Sequence, residues 1–488
     1  MKSIFLNKTA FIAVFLLATP NFNDSQTVVR SNDSNSVSRQ KSGDSQIEER
    51  NVRAHLEFLA GDAMQGRGSG TQFELLAAQY IASQLQQFGV EPAGETHASG
   101  KKTYIQTVNI ARNSFAESPK LNYTANNATV SLEHGKDMII LRMNAARISG
   151  GLQKLNTDGK PKSGAVVFIE LREGEDSQNL TQKLQAVSMT DAAAVIVEET
   201  PQWRAQWSNL AARRLSFTTI SNNAGNPFGM IVVGKDAASE LAKLADGAQI
   251  EIKGQLSAPQ TQQTWNAVGK LTGGDSRLAP DVILLSAHLD HLGVRPNAPG
   301  EDKIYNGADD DASGCVAVLE LARALAQGKR PKRTVYFAFF GSEEAGGFGS
   351  QYFVNNLPFP KDNLAANLQF EMLGRPDAKV AAGELWLTGY ERSNLGSELV
   401  KQGAKLVADP HPEQNFFQRS DNYTLARQGV VAHTVSSFGL HTDYHQPGDE
   451  IKTIDFNFMT RSINSMVKPV QWLLNSNFKP VWYEGKKP

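Results

Sequence analysis

The residues of this chain best suited to chemistry sit in five short clusters. They are AHLD (287–290), NGADDDASG (306–314), GSEEAGG (341–347), QFEMLGR (369–375) and HTDYHQPGD (441–449). His288 closes the apolar run DVILLS at 281–286 and is followed two positions on by Asp290. A neutral imidazole is a good zinc ligand. A carboxylate two residues away can accept the other ring N–H or orient a neighbour. Three consecutive Asp residues, 309 to 311, repel one another unless a cation relieves them. A central carboxylate shared by two cations does so, which points to Asp310 as a bridge. Glu343 and Glu344 are adjacent, so their side chains diverge. One can bind metal while the other handles protons, the division that metal-assisted hydrolysis needs. Glu371 adds a further carboxylate and His445 a second imidazole. Five ligands with one bridge make two sites of three protein ligands each, a set suited to two Zn2+.

These groups must be held by a sheet. Strands are expected at 265–272, 282–287, 334–340, 366–372, 384–388 and 429–436, and helices at 313–327, 347–356, 392–406 and 455–475. Their alternation predicts an α/β domain: a mixed, mostly parallel sheet sandwiched by helices. Ligands of such sheets bind beyond the carboxyl ends of the strands. Upstream, 47–60 and 72–88 have helical periodicity, with Gly89 as a stop. The glycine-rich GRGSGT at 66–71 follows no strand and lacks a phosphate-site Lys, so it is read as a loop. Residues 163–254 form a further α/β pattern, with strands at 165–171, 193–197, 230–233 and 250–252 and helices near 178–188 and 236–245. That stretch contains no His and reads as an accessory module.

Composition narrows the partners. Forty-nine Lys and Arg face fifty Asp and Glu, so no global field favours nucleic acid. Lys2 and Lys8 precede the apolar segment 10–18, which reads as a secretory signal too short to span a bilayer. A periplasmic or secreted protein without stable membrane insertion is expected. Cys315 is the only cysteine, which leaves no thiolate zinc site and no internal disulfide. The expected division is 1–20 signal, 21–46 disordered linker, 47–114 first part of the main domain, 115–258 inserted domain, 259–478 main domain and 479–488 tail. No oligomeric state follows from the sequence.

The five clusters, in this order, resemble the co-catalytic zinc aminopeptidases, a family that also holds glutamate carboxypeptidase-type and glutaminyl cyclase-type members. FLAGDAMQGRGSGT (58–71) is similar to the family's leading segment, and 115–258 resembles its inserted protease-associated domain. The resemblance implies a zinc-exopeptidase fold acting on peptides. His288, Asp310 and Glu371 would bind one zinc, and Asp310, Glu344 and His445 the other. Glu343 would be the general base and Tyr444 a donor to the oxyanion. A cis peptide between Asp310 and Asp311 is also implied. Glu371 stands where many aminopeptidases carry Asp, although Glu occurs there in other members. Glutaminyl cyclisation or carboxypeptidase action on the same site, or a receptor-like protein without catalysis, are the alternatives.

Overall fold

Every residue of the strand Val282–His288 is buried. Its side chains divide by the two-residue period of a strand. Ile283, Leu285 and Ala287 enter one core, while Val282 and Leu284 enter another. In Thr334–Phe340, Val335, Phe337 and Phe339 face the first core and Tyr336, Ala338 and Phe340 the second. Strands apolar on both faces need cover on both sides. Helices Glu49–Leu59, Gln72–Phe88, Gly314–Gln327 and Phe456–Asn475 cover the first, and Phe348–Asn355 and Asn422–Ala426 the second.

The structure is a computed structural model. It describes residues 47–155, 160–170, 190–221 and 226–488, together with Leu180, Lys183, Leu184 and Val187. The expected signal and linker, and most of the expected helix 178–188, lie outside the described residues.

The large sheet has ten strands. Along it run Leu406–Ala408, Leu385–Leu387, Val431–Ser436, Leu364–Phe370, Val282–His288, Thr334–Phe340, Gln260–Leu271, Ile105–Ser114 and Ser216–Ile220, with Glu91–Pro92 beside Gln260–Leu271. The four strands from Val431–Ser436 to Thr334–Phe340 are mutually parallel, and both flanks contain antiparallel pairs. The chain leaves Val282–His288 to one side and later returns to Leu364–Phe370 on the other. The boundary between these two strands is therefore a topological switch point.

A second sheet of eight strands lies within 120–253. It has apolar residues on both faces and carries the helix Lys235–Lys243. Ser216–Ile220 leaves this unit to pair antiparallel with Ile105–Ser114 in the large sheet.

The expected helix 392–406 is corrected. Only Leu395–Lys401 is α-helical, and Leu406–Ala408 is a strand parallel to Leu385–Leu387. Gly403 has φ 93° and ends the helix, with Ala404 N–H donating to the Leu399 carbonyl at 3.0 Å. At the C-terminus, Trp482 Nε1 donates to the Gly429 carbonyl at 3.0 Å and the ring packs on His433 and Phe417. Among the described residues no helix is long and apolar enough to cross a membrane.

Candidate metal centre

The carboxyl ends at the switch point carry the site. His288 is the last residue of its strand, Glu371 directly follows Phe370, and Glu343 and Glu344 lie just past Phe340. The three Asp residues of 309–311 have separate tasks. Asp311 accepts N–H bonds from His288 (3.1 Å), Gly314 (3.0 Å) and Met372 (3.1 Å), tying two strand ends to a helix start. Asp309 accepts from Gly374 N–H at 2.7 Å and pairs with His441 Nε2 at 3.0 Å. Asp449 in turn accepts the N–H groups of Asp309 and Asp310, at 2.9 and 3.0 Å. Asp310 alone turns its carboxylate to the centre, and the Asp310–Asp311 peptide bond is cis.

Around Asp310 the expected ligands converge. His288 Nε2 lies 3.0 Å from Asp310 Oδ1, and His445 Nε2 lies 3.2 Å from Asp310 Oδ2 and 3.1 Å from Glu344 Oε2. The donor atoms of His288, Asp310 and Glu371 all fall within 4.8 Å of one another. A second such group is His291, Asp310 and Glu344. His291 was not expected from the sequence. Its signal was present in AHLDHLG, but a second His beside Asp290 does not by itself mark a ligand.

The chemistry of the donors fits cations. His288 Nδ1 is 3.2 Å from the Asp290 carbonyl oxygen, which only accepts, so the proton belongs on Nδ1. Nε2 then presents a lone pair to the Asp310 carboxylate at 3.0 Å and makes no hydrogen bond. Glu344 Oε1 and both His291 nitrogens are also buried without a hydrogen-bond partner among the described residues. Imidazole nitrogens and carboxylate oxygens brought this close together suit shared cations. Burial opposes ionisation of Asp310, but His288 and His445 outweigh it and hold the carboxyl well below its usual range. Burial depresses the His445 imidazole, while Asp310 and Glu344 more than compensate and lift it to about 9.

Of the two roles expected for Asp290, the structure shows the orienting one. Its carbonyl, not its carboxylate, takes the His288 ring N–H. The carboxylate instead accepts from Glu343 N–H at 2.9 Å, Glu344 N–H at 3.3 Å and Ser69 Oγ at 2.5 Å. Buried Glu74 accepts from Ser342 N–H at 2.8 Å, so two carboxylates fix the turn that aims Glu343 and Glu344. Burial, reinforced by Asp421, Glu371 and Glu344, raises the Glu343 carboxyl well above its usual range, against the pull of His288. Ser342, Met372 and His445 all have positive φ, at 53°, 56° and 56°. Such conformations cost energy and cluster at functional sites.

The loop read from GRGSGT contributes the floor. Arg67 is 1 % exposed and donates to the carbonyls of Leu59, Leu289, Asn306 and Gly307. Tyr444 stacks on His445 with ring centroids 3.9 Å apart, and Arg419 Nη2 lies 3.4 Å from its hydroxyl. Beside Tyr444 and Glu371 a recess is walled by Trp386, Phe416 and Phe438. A larger cleft of about 910 Å³ runs from Ser342 and Gly346 to Arg112, Arg142 and Phe228.

Residues 266–468 match the profile of Peptidase family M28. Leupeptin-inactivating enzyme 1 of Streptomyces exfoliatus is 31% identical over 285 residues, 55% of this chain and 62% of that protein. The probable leucine aminopeptidase 2 of Aspergillus oryzae is 28% identical over 235 residues, 46% of this chain and 44% of that protein. The chain thus spans about half the length of the curated relatives it matches. Among solved structures, an aminopeptidase from Aneurinibacillus sp. strain AM-1 aligns with TM-score 0.48 at 17% identity, covering 88% of this chain and 95% of that one. A zinc aminopeptidase from Bacillus subtilis aligns with TM-score 0.46 at 18% identity, covering 88% and 96%. Residues 266–468, which contain all five polar clusters, are thus similar to peptidase family M28.

Proposed function

We propose that the protein is a two-zinc aminopeptidase that removes residues from the N-terminus of peptides. The observation that carries this reading is the convergence of His288, Glu371, Glu344 and His445 on the single Asp310 carboxylate. His288, Asp310 and Glu371 would hold one cation, and Asp310, Glu344 and His445 the other. Zinc bound there would polarise the scissile carbonyl and lower the pKa of a water to about 7.

Glu343 takes the proton of the attacking water and passes it to the leaving amine. Its raised pKa brings it closer to working pH, where proton transfer in both directions is efficient. The substrate's free ammonium sits near the carboxylates of Glu343 and Glu371. An apolar first side chain fits the recess of Trp386, Phe416 and Phe438. Burial raises the Tyr444 hydroxyl pKa, so it stays protonated and donates to the developing oxyanion. The unit at 115–258 narrows the approach, and the rest of the peptide runs along the cleft past Ser342 and Gly346.

Metal analysis with a panel of aminoacyl-nitroanilides tests this. Two zinc ions per chain and release of nitroaniline from leucyl or phenylalanyl substrates are expected. Activity confined to cyclisation of N-terminal glutamine peptides, or cleavage at the C-terminal end, would overturn the aminopeptidase reading.

A further inference from the structure

We infer that His291 is a third imidazole ligand of the centre, bound with Asp310, Glu344 and His445 to the second cation. This rests on the two-cation reading above and extends its ligand set.

His291 is fully buried, and neither ring nitrogen has a hydrogen-bond partner among the described residues. An unpaired buried polar group costs roughly 1–3 kcal/mol, so such an imidazole needs a reason. Its Nδ1 lies 2.8 Å from Glu344 Oε1 and 3.9 Å from Asp310 Oδ2. The Glu344 approach is close but fails hydrogen-bond geometry, since both atoms remain unpartnered. Its donor atom groups with Asp310 and Glu344 within the same 4.8 Å span that joins His288, Asp310 and Glu371.

The ring is also held in place. His291 N–H donates to the Arg67 carbonyl at 3.2 Å, and Arg67 is itself fixed by four carbonyls. Gly307 packs on the ring so closely that a Cβ there would come within 2.5 Å of its Cγ. The loop thus admits the imidazole only because residue 307 has no side chain.

His445 differs. Its side chain is 35% exposed and it lies on a surface loop. The second cation would then have an inner, immobile imidazole and an outer one open to solvent. With two imidazoles and two carboxylates it should be held more tightly than the first, which has one imidazole.

Replacing zinc by Co2+ gives a readout independent of turnover. Each imidazole bound to Co2+ shows one strongly shifted exchangeable ring N–H proton resonance. The expected wild-type protein takes up two Co2+ and shows three such resonances, from His288, His291 and His445. Two Co2+ with only two resonances would overturn the assignment of His291 while leaving the two-cation site standing. Uptake of fewer than two Co2+ would overturn both. This count needs no variant, so it stands even if a substitution at this buried position fails to fold. In folded His291→Asn, the second Co2+ should bind more than about 100-fold more weakly with the first unchanged. A smaller loss, within the roughly 10- to 100-fold cost of removing a residue that only orients a ligand, would overturn direct ligation.

Discussion

Glu343 and Glu344 are neighbours with different surroundings. Glu344 lies between His291 and His445, while the Glu343 carboxyl forms no ion pair among the described residues and its backbone is pinned by Asp290. Replacing Glu343 by Gln keeps the shape and removes the proton acceptor. Glu343→Gln is expected to lower kcat by about 10²- to 10⁴-fold while zinc content and unfolding temperature hold, as steady-state kinetics with metal analysis would show. Undiminished turnover would remove Glu343 from the chemistry. The residues expected to approach Asp310 were readable because each type is a strong donor at the end of an apolar run. The tasks of Asp309 and Asp311 were not readable. Three identical side chains in a row give no sign of which one accepts backbone N–H groups and which faces inward. Asp290 left two roles open for a related reason: spacing alone cannot tell whether its carboxylate or its carbonyl meets the His288 ring.

At the scale of elements, Arg67 joins the 59–67 segment to the strand end at Leu289 and the loop at 306–307. Arg67→Met would leave several buried carbonyls without donors. A loss of at least about 3 kcal/mol is expected by urea unfolding, with weaker metal binding in parallel. The strand Val431–Ser436 carries a second internal polar group. His433 is fully buried, held between Ser393 Oγ and the Thr388 carbonyl, and burial pushes its pKa down to about 4. In the unfolded chain it titrates near 6.5. Between these values the unfolded state takes up a proton that the folded state refuses. Stability from this site is therefore intact above pH 6.5 and lost as pH falls toward 4, by up to about 3 kcal/mol. His433→Gln should flatten that part of the pH–stability curve, and an unchanged slope would refute the assignment. The apolar strands were legible because their runs are continuous. The error at 392–406 came from reading periodicity through Gly403, whose positive φ ends the helix and frees Leu406–Ala408 to join the sheet.

For the whole molecule, the large sheet sets the site and the second sheet sets its approach. Exposed Arg112 and Arg142 lie along the cleft that begins at the Ser342–Gly346 turn. A short peptide threaded from the centre would bring its terminal carboxylate toward them. Short peptides with a free C-terminus are expected to show higher kcat/KM than their C-terminal amides. The difference should shrink as salt rises, and Arg142→Ala should reduce it. Equal rates for acids and amides at low salt would show that these arginines play no part. Chelation should abolish activity and lower the unfolding temperature, since cations that bind the folded site and not the unfolded chain stabilise the fold.

Ser216–Ile220 is threaded from the smaller sheet into the margin of the larger one. Anyone trimming the protein to its larger unit, or grafting the smaller unit onto a relative, would meet this first. A deletion bounded by the obvious linkers would strip an outer rung from the large sheet and bare the Ile110–Ser114 backbone to aggregation. The two units are stitched rather than merely tethered, so they should be inherited, engineered and unfolded together.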